Sequence, residues 1–245
     1  MQIFLMYHDV YIHDYNESGF LKDSTKQYKI SVQEFEQQVK AVAEYCRDHD
    51  DIKVDFTFDD GGKSFATVVA PVLEKYGLRG IFFISAKYIE TETFISFDQI
   101  VELKRRGHII GSHSYSHPNL ANLQKGEIDN EWRKSISILK PYLGDTIIAS
   151  IPEGYSNDDV IQTAIDNAVS TLFTSEPTVK IQKKENMQIV GRYVVYEGMT
   201  VDDVMSIISD VKKRRKLKAK WQLLSIAKTV LGKKYDSVKA AIYKG

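Results

Sequence analysis

The chain contains very little cysteine, because Cys46 is the single one among 245 residues. One cysteine excludes an internal disulfide bond and a zinc site built from several thiolates. It is compatible with a reducing compartment. The first eight residues lack the basic segment of a secretory signal peptide, and their apolar run is too short for one. We therefore expect a cytoplasmic protein.

An excess of charge of one sign is also absent, because 33 basic residues balance 33 acidic residues. This balance argues against a dedicated nucleic-acid-binding protein. No apolar run approaches the roughly 18 residues that a membrane-spanning helix needs. The chain is 43% apolar and 27% charged, which is ordinary globular composition. Its length suits one large domain or two small ones.

Short apolar runs alternate with helical patterns along most of the chain. The runs 3–7, 53–58 and 80–85 are typical of buried strands, and Ser31 and Glu34 have the spacing of a capping box that begins a helix. This alternation predicts a parallel sheet or barrel. In a closed barrel of this kind, the carboxyl ends of the strands form the active-site face.

Two pairs of polar residues follow predicted strands. Asp59 and Asp60 come directly after the strand at 53–58, and His113 and His117 come about fifty residues later. One carboxylate and two neutral imidazoles form a divalent-metal site with open positions for water and substrate. The other carboxylate remains free to take a proton from the attacking water. The two pairs together predict a metal-dependent hydrolase.

Each feature also has a simpler interpretation. An Asp-Gly pair favours a turn after a strand, so Asp60 and Gly61 alone would fit an ordinary turn. Two histidines can be exposed loop residues, although a pair four residues apart after a glycine is less easily explained so. His108, which begins a predicted strand, is assigned to structure, and His8 fits a packing residue as well as a pocket residue.

The segments TFDDG at 57–61 and HSYSHP at 113–118 resemble the polysaccharide deacetylases, also called the NodB-homology or carbohydrate esterase family 4 group. The segment MYHDV at 6–10 resembles the first strand of the same family, and the resemblance covers roughly residues 1–210. It implies a distorted (β/α) barrel of about seven parallel strands. It also implies metal-dependent removal of an acyl group from a sugar.

The resemblance implies a role for each matching position. The metal, most often zinc but also cobalt or nickel in such sites, would be held by Asp60, His113 and His117. Asp59 would be the general base. The segment 150–154 aligns with the family's R-x-P-x-G turn, which makes the backbone N–H of Glu153 the candidate donor to the oxyanion.

Two parts of the family's apparatus are missing from their usual places. Ser150 replaces the arginine that orients the catalytic aspartate, and Arg192 is the candidate to supply a guanidinium from a later strand. No histidine follows His117, so the family's late general acid is absent. His8, or alternatively His13, is the candidate replacement, because the first strand ends on the same face.

The general base could otherwise carry the proton to the leaving group itself. Loss of a general acid costs on the order of 10²–10⁴-fold in rate. The expected activity is therefore metal-assisted deacylation of uncertain efficiency.

The last part of the chain is basic, and from Lys212 onward Asp236 is its single acid. Apolar residues, Trp221 and Leu224 among them, recur there at helical spacing. A basic amphipathic helix that carries tryptophan is typical of a membrane-surface element. The alternative is a helix that packs on the barrel or on an acidic partner. We therefore divide the chain into a barrel at 1–210 and a basic amphipathic helical tail at 211–245.

Taken together, these features predict a cytoplasmic, metal-dependent sugar N-deacetylase, peripheral at the inner membrane face if the tail binds lipid. The resemblance implies a setting in bacterial surface polysaccharide biosynthesis. A deformylase of a lipid-linked formamido sugar is the second interpretation. A non-catalytic barrel that binds metal or glycan is the third, and the missing late histidine favours it. The expected partner is a saccharide, and no nucleic acid is expected.

Overall fold

The structure is a computed structural model that describes residues 1–231, with side chains described for residues 1–225. Residues 232–245, the end of the predicted tail, lie outside the described residues. The described residues contain eleven strands: β1 (Gln2–Tyr7), β2 (Val10–Tyr11), β3 (Ile30–Ser31), β4 (Lys53–Phe58), β5 (Gly80–Ile84), β6 (Ile109–Ser112), β7 (Ile147–Ser150), β8 (Val169–Phe173), β9 (Gln182–Lys184), β10 (Met187–Val190) and β11 (Tyr193–Val194). They also contain seven α-helices: α1 (Val32–Asp48), α2 (Ala70–Lys75), α3 (Phe97–Arg105), α4 (Lys125–Leu139), α5 (Asp158–Asp166), α6 (Val201–Ser209) and α7 (Val211–Leu231).

Nine of the strands form one sheet in the spatial order β11-β1-β4-β5-β6-β7-β8-β10-β9. All neighbouring pairs run parallel except β10 and β9. Strands β2 and β3 form a separate parallel pair beside the sheet. Helices connect most of the strands, so the apolar strand segments, such as the fully buried β5, are covered on both faces.

The two ends of the sheet approach each other at a narrow gap, which we call the seam. Strand β11 is the last strand at one end, and β10 is the last but one at the other. Only Gly191 and Arg192 separate these two strands in the chain. Since consecutive Cα atoms are about 3.8 Å apart, Val190 and Tyr193 lie within about 11 Å of each other. The sheet therefore curls into a distorted (β/α) barrel, as the resemblance implied.

The helix ends show how local sequence places the elements. Ser31 and Glu34 form the predicted capping box at the start of α1. Helix α6 ends at Ser209, and α7 begins two residues later, at Val211. The Arg214 guanidinium donates to the carbonyls of Ile207 and Ile208, which closes the end of α6 and fixes the turn into α7. No helix among residues 1–231 has the length and apolar character needed to cross a bilayer.

A charged cluster ties together the amino-terminal ends of β5 and β6. The Gly80 N–H donates to His108 Nδ1 at 3.0 Å, so the ring proton is on Nε2, which lies 2.8 Å from the Glu74 carboxylate. Arg106 binds the same carboxylate through two hydrogen bonds of 2.7 Å. His108 thus has the structural position that the sequence indicated, at the end of the barrel opposite the Asp and His pairs.

Candidate active site

The two aspartates leave β4 through a turn with unusual backbone geometry. Asp60 has a φ of 85° and Gly61 a φ of 94°, both in the left-handed region. Such a conformation in an aspartate persists only when surrounding contacts hold it. Here the Asp60 carbonyl accepts from the Ser85 N–H and the Gly61 carbonyl accepts from the Ile95 N–H. Both carboxylates are buried, with residue exposures of 3% for Asp59 and 5% for Asp60.

The two histidines lie on the loop that follows β6. His117 also has a left-handed backbone, with φ of 58°. The Glu131 carboxylate, from α4, accepts hydrogen bonds from the N–H groups of Tyr115 and Ser116 and from the Ser116 hydroxyl. This glutamate therefore holds the loop between the two histidines. The sequence did not indicate this role for Glu131, because the residue lies within a helical pattern and belongs to no motif.

Asp60 and the two histidines converge on one point. Three of their ligand atoms lie within 4.8 Å of one another. Asp60 Oδ1 is 3.0 Å from His117 Nε2 and 3.5 Å from His113 Nε2. Neither contact has hydrogen-bond geometry, so this buried oxygen has no hydrogen-bond partner among the described residues. A buried carboxylate oxygen without a partner, facing two imidazole nitrogens, fits a divalent cation.

The tautomer of His113 supports the same interpretation. Its Nδ1 lies 3.1 Å from the Ser150 backbone carbonyl and 2.5 Å from the Ser150 hydroxyl. A proton on Nδ1 satisfies both contacts, because the carbonyl can only accept and the hydroxyl donates its own proton to Asp59. Nε2 is then unprotonated and directed toward Asp60. A backbone carbonyl that orients the far nitrogen of a ligand histidine is a common feature of metal sites.

Asp59 makes a buried ion pair with Arg192. The guanidinium Nη1 lies 2.6 Å from Oδ1 and Nη2 lies 2.7 Å from Oδ2. Arg192 is 1% exposed, and it also donates to the Thr57 hydroxyl and to the Thr174 carbonyl. Ser150, which replaces the family's arginine, donates a longer hydrogen bond of 3.3 Å to Asp59 Oδ1. The structure thus brings the guanidinium to the aspartate from the seam.

These contacts set the charges of the two aspartates. Burial by itself raises the pKa of Asp59, but the Arg192 charge and the hydrogen bonds from Arg192 outweigh it and hold the pKa below its ordinary value. Burial likewise opposes ionisation of Asp60, and the charge and proximity of His117 and His113 lower its pKa well below the ordinary range. Both carboxylates are therefore ionised at neutral pH.

His8 lies at the end of β1, within electrostatic reach of both aspartates. Its ring packs on Tyr28 with centroids 4.6 Å apart, and its buried Nδ1 has no hydrogen-bond partner among the described residues. Burial lowers the pKa of His8, although the charges of Asp60 and Asp59 oppose that effect, so the imidazole is neutral at neutral pH. His13, the alternative, is exposed on the following loop.

Residues 12–29 cover one side of the histidines. In this segment Phe20 packs on the His117 ring, with centroids 4.9 Å apart, and Tyr28 packs on His8. The sequence alone gave no indication that either aromatic residue lies at the site. Neither belongs to a recognisable motif, because their positions depend on how the segment folds back over the barrel.

Glu153 lies in the turn 152–154 after β7, with a left-handed φ of 57°. Its side chain is exposed. Burial opposes a charge on His117, but Asp60, with a smaller contribution from Glu153, outweighs it and raises the pKa of His117. The use of its backbone N–H as an oxyanion donor stays a prediction. The turn does lie at the carboxyl end of a strand, as do the Asp pair and the His pair.

The family model described as polysaccharide deacetylase matches residues 47–172, which is just over half of the chain. The chain belongs to the polysaccharide deacetylase family. The matched segment contains Asp59, Asp60, His113 and His117, but neither His8 nor Arg192.

Two curated relatives illustrate the similarity. A putative polysaccharide deacetylase of Bacillus subtilis is 27% identical over 157 residues, which cover 64% of this chain and 56% of that protein. A peptidoglycan-N-acetylglucosamine deacetylase of Bacillus cereus is 34% identical over 94 residues, which cover 38% of this chain and 32% of that protein. The chain thus spans less than two thirds of the length of the curated relatives that it matches.

Solved structures show the same fold. The deacetylase PplD of Streptococcus pyogenes, solved in complex with acetate, superposes with a TM-score of 0.69 at 18% identity, covering 84% of this chain and 97% of that one. A polysaccharide deacetylase of Bacillus cereus superposes equally well at 22% identity, covering 85% and 69%. Deacetylases of this family are metal-dependent hydrolases, and Asp60, His113 and His117 form a possible metal site in this chain.

Proposed function

We propose that this protein is a metal-dependent hydrolase that removes N-acetyl groups from a saccharide. The observation that carries the proposal is the convergence of Asp60, His113 and His117 within 4.8 Å, next to a second buried carboxylate that is held by an arginine. Three protein ligands leave coordination positions for water and substrate, which is typical of a catalytic rather than a structural metal site.

The proposed cation is Zn²⁺, because one carboxylate and two imidazoles are ligands that zinc prefers, and Co²⁺ and Ni²⁺ suit the same ligands. When bound, such a cation polarises the acyl carbonyl and makes a coordinated water more acidic. Asp60, His113 and His117 would hold it. His113 would do so through Nε2, because its Nδ1 proton is directed at the Ser150 carbonyl.

Asp59 is the proposed general base. The two hydrogen bonds from Arg192 hold the carboxylate in one orientation and keep it ionised. Oδ1 also accepts from Ser150, so Oδ2 is the oxygen that retains a further lone pair. Asp59 can then accept a proton from the attacking water. The N–H of Glu153 is the proposed donor to the oxyanion that develops on the acyl oxygen.

His8 is the proposed proton donor to the leaving amine. Its imidazole is neutral at neutral pH, so it must first gain a proton, and the proposed source is the proton that Asp59 takes from water. The absence of a hydrogen-bond partner on its buried Nδ1 supports a functional role over a packing role. Direct transfer from Asp59 to the amine is the alternative.

The proposed setting is bacterial surface polysaccharide biosynthesis in the cytoplasm, with peripheral contact at the inner membrane face. The names of relatives that act on peptidoglycan support a glycan substrate. The exposed cations of α7, Lys212, Arg215 and Lys216, support contact with an anionic surface.

The test compares neighbouring variants Asp59→Asn and Asp60→Asn in acetate and formate release from N-acylated sugars, with Zn²⁺ added or chelated. We expect acetate release that chelation abolishes, loss of release in both variants, and loss of bound metal in Asp60→Asn alone. Asp50→Asn, at an exposed position, is the control and should behave as wild type.

Equal product release by wild type and Asp59→Asn would refute the mechanism. Formate release without acetate release would identify a deformylase instead. Bound metal without any release from either kind of sugar would favour a non-catalytic barrel.

A further inference from the structure

An apolar groove lies between α7 and the wall of the barrel, beside the seam. Its volume is about 270 Å³. One side is formed by α6 and the loop that precedes it, and the other by one face of α7. Its apolar lining includes Tyr196, Met199, Ile207, Leu217, Trp221 and Leu224. Such a lining suits a hydrocarbon group.

The groove borders two residues that contact the candidate active site. Arg192, which holds Asp59, is part of its lining, and so is Ser175. Ser175 lies against the turn that carries Glu153, because a Cβ on Gly154 would stand 2.3 Å from the Ser175 hydroxyl. A saccharide with its acyl group at the candidate metal site would therefore have the groove beside it.

Basic side chains outnumber acidic ones in the lining of the groove. Lys213 and Lys220 line it, whereas the acid that lines it, Asp203, is paired with Lys213 at 3.2 Å. The solvent side of α7 adds the exposed Lys212 and Arg215. An anionic group next to the groove would therefore be stabilised.

We propose that the groove binds the hydrocarbon chain of an anionic, lipid-linked saccharide, with the anionic linkage beside Lys213 and Lys220. The inference rests on the proposed function and names the substrate class of the same site. Pockets that enclose a whole small ligand measure about 300–1,000 Å³. The groove is slightly smaller, so it holds one segment of the chain while the remainder stays outside.

This site differs from adsorption of α7 on a membrane. Leu224 is 8% exposed in the groove, whereas its neighbour Leu223 is 70% exposed on the solvent side. Adsorption would use Leu223 and the outer cations. Uptake of a chain would use Leu217, Trp221 and Leu224. Substitutions on the two sides of one helix therefore separate the two modes of binding.

Trp221 provides the probe, because Trp132 is fully buried in the barrel and its surroundings do not change. Dodecyl phosphate is added to the full-length protein below its micellar concentration, and tryptophan emission is recorded. We expect dodecyl phosphate to shift the emission to shorter wavelength in a saturable way. Dodecyl maltoside, which has the same chain without the charge, should bind roughly tenfold more weakly, and inorganic phosphate should cause no shift. The Trp221→Phe variant should lose the shift.

Matched variants decide between the two sides of α7. Leu217→Phe fills the groove and should weaken the binding of dodecyl phosphate about tenfold. Leu223→Phe makes the same change on the exposed side of α7 and should leave this binding unaltered. Met199→Phe fills the groove from the barrel side and serves if Leu217→Phe alters the circular dichroism spectrum. The proposal would be overturned if Leu223→Phe bound dodecyl phosphate more strongly while the groove variants had no effect. It would also be overturned if dodecyl phosphate caused no shift of the tryptophan emission. The assay needs neither metal nor turnover, so its failure is distinct from a failure to release acetate.

Discussion

At the scale of single residues, the candidate site depends on buried charges that are held by specific partners. Asp59 is ionised although it is buried, because Arg192 binds both of its oxygens. His8 is half-buried, desolvation of its ring lowers its pKa, and its buried Nδ1 has no hydrogen-bond partner among the described residues. These two residues complete the environment of the Asp and His pairs, and each makes a different prediction.

We expect His8→Gln to slow release of acetate from an N-acetyl sugar by about 10²–10⁴-fold, because an amine leaves slowly unless it is protonated. Hydrolysis of 4-nitrophenyl acetate should slow much less, because nitrophenolate leaves without a proton. His13→Gln, at the exposed alternative position, is the control and should match wild type in both assays. Equal losses on the amide and the ester would mean that His8 does not donate the proton.

We expect neither lysine nor methionine to replace the function of Arg192. Arg192→Lys keeps a charge but loses the two-point contact, and we expect acetate release to fall by roughly 10–100-fold with little change in bound metal. Arg192→Met leaves Asp59 buried without a partner and should lower the free energy of unfolding by about 3–5 kcal/mol. Urea unfolding and metal analysis measure both. Arg133→Lys, on an exposed arginine, is the control, and an Arg192→Lys variant of wild-type activity would contradict the orienting role.

At the scale of elements, the seam decides where Arg192 lies. The two residues between β10 and β11 must cross from one end of the sheet to the other in little space. A Cβ on Gly191 would stand 2.3 Å from the Glu176 carbonyl and 2.5 Å from the Thr178 methyl group. Only glycine fits there without a shift of the backbone, and the neighbouring guanidinium depends on that backbone.

Gly191→Ala should therefore destabilise the protein by about 1–3 kcal/mol and lower activity as well, because the obstructing carbonyl belongs to backbone that cannot easily move. Urea unfolding and acetate release measure the two effects. Gly126→Ala is the matched control, since a Cβ there meets nothing within 4 Å and the position lies in α4. That variant should be neutral or stabilised by about 0.5–1 kcal/mol. Identical behaviour of the two variants would show that the seam tolerates a side chain.

At the scale of the whole molecule, the two ends of the barrel carry different groups of charged residues. The carboxyl ends of the strands carry the Asp and His pairs, and the opposite end carries the Glu74 cluster. Hydrogen bonds from Arg106 lower the pKa of Glu74 from 4.5 to about 2. Burial of the carboxylate opposes this effect, and the hydrogen bond with His108 adds to it. Because the folded-state pKa lies below the unfolded value, this stabilisation is present above about pH 4.5 and is lost as the pH falls toward 2.

Glu74→Gln should lower the free energy of unfolding by about 1–2 kcal/mol at pH 7, and the difference from wild type should shrink between pH 4.5 and pH 2.5. Urea midpoints at the two ends of this range measure the effect. Glu102→Gln, which removes an exposed ion pair with Arg105, is the control and should change little. A difference that is independent of pH would show that Glu74 stabilises the fold without its charge.

Local patterns determined much of this architecture. The apolar run before Asp59 and the capping box at Ser31 depend on residues close in the chain, and both are found where the sequence indicated them. The short strands β9, β10 and β11 were not predicted, because they have two to four residues each and little apolar pattern. The contact that fixes the turn between α6 and α7 was not predicted, because it depends on Arg214 reaching back to the end of α6.

By itself, the sequence determined the (β/α) order and the strand-end positions of Asp59, Asp60, His113 and His117, because alternating apolar patterns and short motifs are local properties. Only the tertiary structure decided that Arg192 pairs with Asp59, 133 residues away, in place of an arginine at position 150. That contact requires the two ends of the sheet to meet at the seam. The meeting depends on the curl of all nine strands, and no local pattern encodes it.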